Sequence, residues 1–272
     1  MEKQTVDINR VDARLHKLHD NGEKGLFTFI TAGDPDLETT FKLVLSMEKA
    51  GADLVELGAP FSDPMADGPV IQRASLRSLA GGTNLRGILE MVRRLRLHTE
   101  IPLLLMTYYN PVFRYGLECF ALDAAEAGVD GVIVPDLPLE ESAPLLQELK
   151  KEKMHLICLA APTTTPQRLK KISAAAGGFI YCVSLTGVTG MREGISPDIA
   201  GFLQRVKRHS SLPLAVGFGI SNPGQAAFMA EEADAVIVGS ALVSLVEQFA
   251  DQPDVMLKGV AGMIRGLKGA II

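Results

Sequence analysis

Short apolar runs rich in branched side chains recur along the chain at 26–30, 54–57, 103–107, 131–134, 156–159, 179–183, 214–217 and 235–238. Each is shorter than a core helix and almost free of polar residues, the pattern of parallel strands buried on both faces. Between them the apolar positions change to helical spacing. Phe41, Val44, Leu45 and Met47 line one face, as do Leu117, Phe120, Ala121 and Ala124, then Leu145, Leu146 and Leu149, then Phe202, Leu203 and Val206. Asp36 is placed to cap the first of these helices, and Gly51, Gly128 and Gly177 stand where helices should end. No linker or composition shift interrupts the alternation. It predicts an α/β fold over 1–272 as one domain, a (β/α)8 TIM barrel with extra N-terminal and loop helices, in preference to an open doubly wound sheet.

Composition agrees with a well-cored globule: 47% of the 272 residues are hydrophobic and 22% charged. A net charge of -5 leaves no basic footprint for nucleic acid or an anionic membrane. The clusters Arg93, Arg94, Arg96 and Arg205, Lys207, Arg208 read as solvated helix faces. The charged first residues lack the apolar core of a secretion signal, and no apolar run reaches the roughly 18 residues of a membrane span. Cys119, Cys158 and Cys182 are scattered without metal-like spacing, as core thiols of a reducing compartment are. The expected location is the cytoplasm; a plastid stroma would apply to a plant protein, although no transit peptide is visible.

In such a barrel, side chains at the C-terminal ends of the strands and in the following loops form the active face. Polar residues collect there: Thr31, Gly33 and Asp34 after the first strand, Tyr108, Tyr109 and Asn110 after the third, Asp136 after the fourth, and 184–190 after the sixth. Glycines after the last strands let backbone N–H groups approach an anion, helped by the helix dipole that follows. Gly219, Gly239 and Ser240, completed by Gly190, are therefore the expected phosphate cradle. A dinucleotide fingerprint at Gly217 and Gly219 fails, because Asn222 occupies the third glycine position.

The segment 56–72 is the richest in chemistry. Glu56 stands among Leu54, Val55 and Leu57 in a buried strand, where a charge is costly unless partnered or used. Asp63 and Asp67 follow in a loop punctuated by Pro60, Pro64, Gly68 and Pro69. Structural explanations compete at each position: a buried ion pair for Glu56, and Asx turns beside Pro64 and Gly68 for Asp63 and Asp67. The five histidines, His16, His19, His98, His155 and His209, fall in helices, in helix-strand connections or at a strand start, the wrong end of the barrel for a general base.

The motifs Glu56-Leu57-Gly58, Pro60-Phe61-Ser62-Asp63-Pro64 and Ala66-Asp67-Gly68-Pro69-Val70-Ile71-Gln72 resemble the signature of the tryptophan synthase alpha subunit family. Met106-Thr107-Tyr108-Tyr109-Asn110-Pro111, Pro135-Asp136-Leu137-Pro138, Gly187-Val188-Thr189-Gly190 and Gly217-Phe218-Gly219-Ile220-Ser221 agree in order and spacing. The resemblance covers nearly the whole chain. It implies retro-aldol cleavage of indole-3-glycerol phosphate into indole and glyceraldehyde 3-phosphate, without a metal or organic cofactor in this chain.

Under that resemblance Glu56 is the proton shuttle, Asp67 the acceptor of the indole N–H, and Tyr181 an assisting hydroxyl. Asp63 braces its own loop. Phe29, Ile71 and Phe218 would form the indole slot, although a core role is the default for each. Leu185 stands where some relatives carry arginine, and Ala59 replaces a bulkier aliphatic. The implied partner is a beta subunit that carries pyridoxal phosphate and receives indole in an αββα tetramer, with Pro60, Phe61 and Met65 at the contact. Two other readings share the fold: a stand-alone lyase, and a non-catalytic phosphate-binding barrel partner. A phosphosugar isomerase barrel would leave the Pro-Phe-Ser-Asp-Pro loop unexplained.

Overall fold

The computed structural model describes residues 8–183, 199–217 and 219–272. Eight parallel strands close into a barrel in sequence order: β1 (Gly25–Thr31), β2 (Leu54–Gly58), β3 (Leu103–Met106), β4 (Gly131–Ile133), β5 (His155–Ala160), β6 (Ile180–Val183), β7 (Leu214–Gly217) and β8 (Ala235–Val238). The helices among the described residues are α1 (Arg10–Asp20), α2 (Leu37–Ala50), α3 (Pro69–Ala80), α4 (Leu85–Leu95), α5 (Tyr109–Tyr115), α6 (Leu117–Ala127), α7 (Ala143–Lys151), α8 (Pro166–Ala175), α9 (Ile199–Lys207), α10 (Pro223–Glu232), α11 (Ser240–Gln248) and α12 (Pro253–Ala270). Helix α1 precedes the first strand and α3 and α5 are inserted after β2 and β3, so the barrel has extra N-terminal and loop helices.

The predicted strands agree with the observed ones to within two residues. Those expected to reach Thr107 and Val134 end at Met106 and Ile133, yet the Thr107 N–H still donates to the Ile133 carbonyl at 3.0 Å. Asp36 caps α2 by accepting from the Thr39 N–H. Gly51 and Gly128 take left-handed φ at the ends of α2 and α6, a conformation that favours glycine. Gly177 does not act this way: α8 is capped at Ala176, and the positive φ belongs to Gly178. A Cβ on Gly177 would lie 2.2 Å from His155 Nδ1, so this glycine makes room for the imidazole.

Strand alternation divides the core into two. Phe27, Leu54, Leu104, Ile133, Ile157, Phe179, Ala215, Ala235 and Ile237 fill the barrel. Leu26, Val55, Leu57, Leu105, Val132, Ile180, Val216 and Val236 meet the surrounding helices. Val11 and Leu15 of α1 belong to the inner cluster, so α1 plugs the N-terminal mouth. Each such buried aliphatic contributes about 2 kcal/mol by leaving water.

At that mouth three aspartates extend the parallel ladders. Asp53, Asp130 and Asp234 each precede a strand, donate a backbone N–H to the neighbouring odd-numbered strand and accept that same residue's N–H on their carboxylate. Their partners are Leu26, Leu103 and Leu214, at 2.6, 2.7 and 2.8 Å from the carboxylate. Cations complete the pairs: Arg14 and Lys268 at Asp53, Arg10 and Arg96 at Asp130. Arg96 is therefore no solvated surface residue. Its side chain is 10% exposed and also donates to the carbonyls of Gly128 and Ile101. Its position at the end of α4 turns it under the barrel, where glycine at 128 leaves space for it. Arg205 is likewise half-buried, donating to the Pro162 carbonyl at 2.6 Å, whereas Arg93, Arg94, Lys207 and Arg208 face solvent.

Arg96→Met should cost about 3 kcal/mol, because the buried Asp130 carboxylate loses its closest cation. Chemical denaturation checks this, and a loss below about 0.5 kcal/mol, the usual size for a surface pair, would contradict the buried assignment.

Candidate active site

Glu56 is the second inward residue of β2, level in the ladder with Phe29 of β1 and Leu104 of β3. Barrel geometry sends its side chain into the interior above the Leu54 layer. It is fully buried, and neither carboxyl oxygen has a hydrogen-bond partner among the described residues. The buried ion pair that the sequence left open is absent there. Loss of hydration raises its pKa to about 8, so the group is largely neutral at pH 7. Tyr181, inward on β6, has a phenol raised well above its ordinary value by burial and by the nearby Glu56 charge. Its ring occupies space that a side chain at position 217 would fill, since a Cβ there would lie 2.8 Å from the ring.

Asp67, in the loop after β2, lines a cleft with Phe29, the residue level with Glu56. It is 8% exposed, and burial raises its pKa to about 6, against the lowering effect of a hydrogen bond from the Tyr108 hydroxyl. That hydroxyl donates to Asp67 Oδ2 at 3.1 Å and accepts from the Ala66 N–H at 2.9 Å. Phe61 stacks on the Tyr108 ring with centroids 5.0 Å apart. Gln72 donates to the Asp67 carbonyl at 2.9 Å, tying the loop to α3. Asp63 is exposed and hydrogen-bonded to its neighbour Ser62, away from the mouth.

Phe29, Thr31, Gly58, Asp67, Ile71, Met106 and Tyr108 line one narrow cleft. Gly58 makes it possible, because a Cβ there would fall 2.5 Å from the Phe29 ring. Thr31 Oγ1, on a residue lining this cleft, is buried without a hydrogen-bond partner among the described residues. A roomier cavity of about 260 Å³ lies beside β5 and α8. Its charged groups are engaged elsewhere: Asp136 accepts from the Tyr109 N–H, and Arg168 pairs with Glu140. The narrow cleft, with unpartnered Thr31 and the raised pKa of Asp67, is the candidate site.

The helix starts after β7 and β8, the candidate anion end, differ from one another. Helix α10 satisfies its own N-terminus: Asn222 accepts from the Gln225 N–H, and the Gln225 side chain accepts from the Ser221 N–H. Helix α11 begins at Ser240 after Gly239 with no side-chain cap, and Ser240 Oγ is buried and unpartnered among the described residues. An uncapped N-terminus offers N–H groups and a positive dipole end to a phosphate. Gly219 is exposed with φ +69 and open space where a Cβ would be. A Cβ on Gly239 would sit 3.4 Å from Phe29 Cβ, so the start of α11 adjoins the aromatic wall of the cleft. Gly190 and Phe218 lie outside the described residues. No group of three His, Cys, Asp or Glu among the described residues could hold a metal, and no helix among them is long and apolar enough to cross a membrane.

The family model for the tryptophan synthase alpha chain matches residues 15–271. The chain belongs to the tryptophan synthase alpha chain family. It is 51% identical to the tryptophan synthase alpha chain of Geobacter sp. (strain M21), over 97% of this chain and 98% of that one. Its fold is similar to that of the tryptophan synthase alpha subunit from Legionella pneumophila str. Paris, with a TM-score of 0.91 and 42% identity across 97% of this chain and 98% of that one. A chain of the tryptophan synthase complex from Pyrococcus furiosus gives a TM-score of 0.84 at 36% identity, covering 91% and 99% of the two chains.

Within this family frame, Phe29 is the common neighbour of the motif residues: it lines the cleft with Asp67 and Ile71, is level with Glu56 in the ladder, and adjoins Gly239 at the start of α11. Four further contributors lie on the predicted active face or in the motifs without a role assigned from sequence: Thr31, Tyr108, and the two space-making glycines Gly58 and Gly217. Inward alternation along β1 was the available signal for Thr31. The Tyr108 contact to Asp67 spans 41 residues and had no local signal.

Glu56 also links the site to stability. The unfolded chain ionises this group near 4.5 and the folded chain near 8, so the folded state holds the extra proton between them. Stability should fall with rising pH across that window, by up to about 1.4 kcal/mol per unit, and level off above it. Glu56→Gln should remove the fall and melt at a higher temperature than the parent at pH 9, with a smaller gap at pH 5. Parallel melting curves at both pH values would contradict the unpartnered burial of Glu56.

Proposed function

We propose that this chain is a carbon–carbon lyase that cleaves indole-3-glycerol phosphate to indole and glyceraldehyde 3-phosphate. The observation that carries the reading is the pairing of a neutral Glu56 with an ionisable Asp67 at one apolar mouth, beside an uncapped helix N-terminus. Phe29, Ile71 and Met106 supply apolar walls for the indole, and the uncapped start of α11 at Gly239 and Ser240, with Gly219, supplies donors for the phosphate.

Asp67, ionised, accepts the hydrogen bond of the indole N–H and stabilises the positive charge that grows on the ring. Protonated Glu56 delivers its proton to indole C3, giving the protonated indolenine, whose positive charge Asp67 offsets. The resulting Glu56 carboxylate removes the proton of the C3′ hydroxyl. The C3–C3′ bond then breaks, its electron pair returns to the ring as neutral indole, and the C3′ oxygen becomes the aldehyde. Glu56 ends protonated as it began, so the cycle closes without an external acid. Tyr181, inward on β6 close enough to feel the Glu56 charge, is assigned to hydrogen-bond the substrate hydroxyl.

Indole leaves to a partner. Met65 is 88% exposed in the loop after β2 and Phe113 64% exposed on α5, with Phe61 and Tyr109 half-buried nearby in sequence. Such an apolar rim suits a docked subunit. The Pyrococcus furiosus relative is a tryptophan synthase complex, and we assign a beta subunit as the partner here, in an αββα assembly that keeps pyridoxal phosphate in the beta chain. The cytoplasm is the assigned compartment.

Asp67 must be ionised and Glu56 protonated, so kcat/KM should be bell-shaped in pH with limbs near 6 and 8. Purified chain mixed with indole-3-glycerol phosphate, with and without a beta subunit, should release indole. Glu56→Gln should lower kcat by about 10²–10⁴-fold, and Asp67→Asn should abolish the acid limb. No indole under either condition would overturn the reading, and turnover equal with and without the beta subunit would remove the partner's role in activation.

A further inference from the structure

The two ends of the proposed substrate rest on different helices. Asp67 lies two residues before α3, and Ile71 of the indole slot is on α3 itself. The phosphate end rests on the first residue of α11. A rigid indole joined by a short chain to a phosphate spans both, so its reacting carbon is aligned only if the two helices keep a fixed spacing. A misplacement of about 1 Å can cost on the order of 100-fold in rate.

The helices are joined by a compact set of charges. Arg77 on α3 forks onto Asp34 after β1, with Nε to Oδ1 at 2.9 Å and Nη2 to Oδ2 at 2.8 Å. Its remaining nitrogen, Nη1, donates to Glu247 Oε1 at 2.7 Å, in the last turn of α11. One turn earlier on α3, Arg73 forks onto the same carboxylate, at 2.8 and 2.7 Å. The hydrogen bonds from Arg73, with the adjacent Arg77 charge, hold the Glu247 carboxyl down at about 2, so it stays ionised throughout the working range. Asp34 is 2% exposed, and next to Arg77 the Ser78 hydroxyl donates to the Ala32 carbonyl at 2.6 Å. Inside this charged edge, Ala74 of α3 and Val243 of α11 close on Phe29.

We infer that Arg77 and Glu247 are positioning residues: the latch fixes α3 against α11 and thereby sets Asp67 and Ile71 at the correct distance from the phosphate helix. The inference rests on the lyase reading of the site. A planar guanidinium suits the task, since its fork fixes angle as well as distance and can serve Asp34 and Glu247 together. Neither residue touches substrate. Their influence is confined to ligands that engage both helices at once, which separates this role from a general contribution to folding.

The test uses the full chain and two probes: glycerol 3-phosphate, which occupies the anion end alone, and an indole bearing a three-carbon phosphate chain at C3, which spans both ends. Glu247→Gln should weaken the spanning probe and lower kcat by about tenfold, while glycerol 3-phosphate affinity stays within about twofold. Arg73→Gln, which leaves both Arg77 pairs in place, should move the same quantities in the same direction by less. Glu90→Gln, which breaks the Arg93 pair on α4, should move none of them. Equal weakening of both probes, or no change in either with Glu247→Gln, would overturn the inference. Failure of the wild type to bind the spanning probe would instead count against the lyase reading, and failure of Glu247→Gln to fold leaves Arg73→Gln to decide, an unchanged spanning affinity there overturning the latch.

Discussion

A carboxyl group held inside a closed barrel with no hydrogen-bond partner among the described residues is the constraint on which this structure turns. Glu56 gives up hydration and receives no hydrogen bond from the described residues in return. Such a group persists only where the surroundings cannot relax around it. The barrel provides that rigidity: each strand is fixed on both sides by parallel ladders, and the interior below Glu56 is filled by Leu54, Phe27 and Phe179. The aspartates at the opposite mouth, with Arg96 and Arg14 on them, hold the strand starts in register. Stability is concentrated at one end, and cost is concentrated at the other.

The two acids differ because their surroundings differ. Glu56 has only burial acting on it, whereas Asp67 accepts from Tyr108, which offsets part of the same effect. A proton therefore favours Glu56 and negative charge favours Asp67 around neutrality, the division of labour that acid-base cleavage needs. Glycines set the geometry around them: position 58 admits the Phe29 ring and position 217 admits Tyr181. These residues contribute by what they lack, so replacing either would push an aromatic ring out of the mouth.

Most of the architecture was legible in the sequence because parallel strands buried on two faces are nearly continuous apolar runs, and nothing else in the chain imitates them. Boundaries slipped by a residue or so where ladder bonds outlast the strand, as at Thr107. Glu56 and Asp67 could be singled out because an acid amid Leu54, Val55 and Leu57, followed by a Pro-Gly loop, conflicts with its local context, and such conflicts concentrate at functional sites. Arg96 was misread for the converse reason: a cationic cluster at a helix end looks the same whether its last member faces water or turns beneath a barrel. Tyr108 and the Arg77 latch depend on contacts between distant segments, which periodicity and motif spacing cannot register. The aspartate clamp carries a weak trace, the repeated Ala-Gly-Xaa-Asp at 50–53 and 127–130, that becomes meaningful only once both copies are seen under the barrel.

The ionisation of Glu56 itself is the most direct test. Carboxyl carbon resonances of the chain labelled with 13C at glutamate Cδ, with Glu56→Gln to assign the signal, report that group's titration without reference to turnover. A midpoint near 8, with the group protonated at pH 7, is the expected result. A Glu56 signal titrating near 4.5 would mean a solvated or partnered carboxylate, and would contradict the neutral, unpartnered acid on which the proposed proton cycle depends.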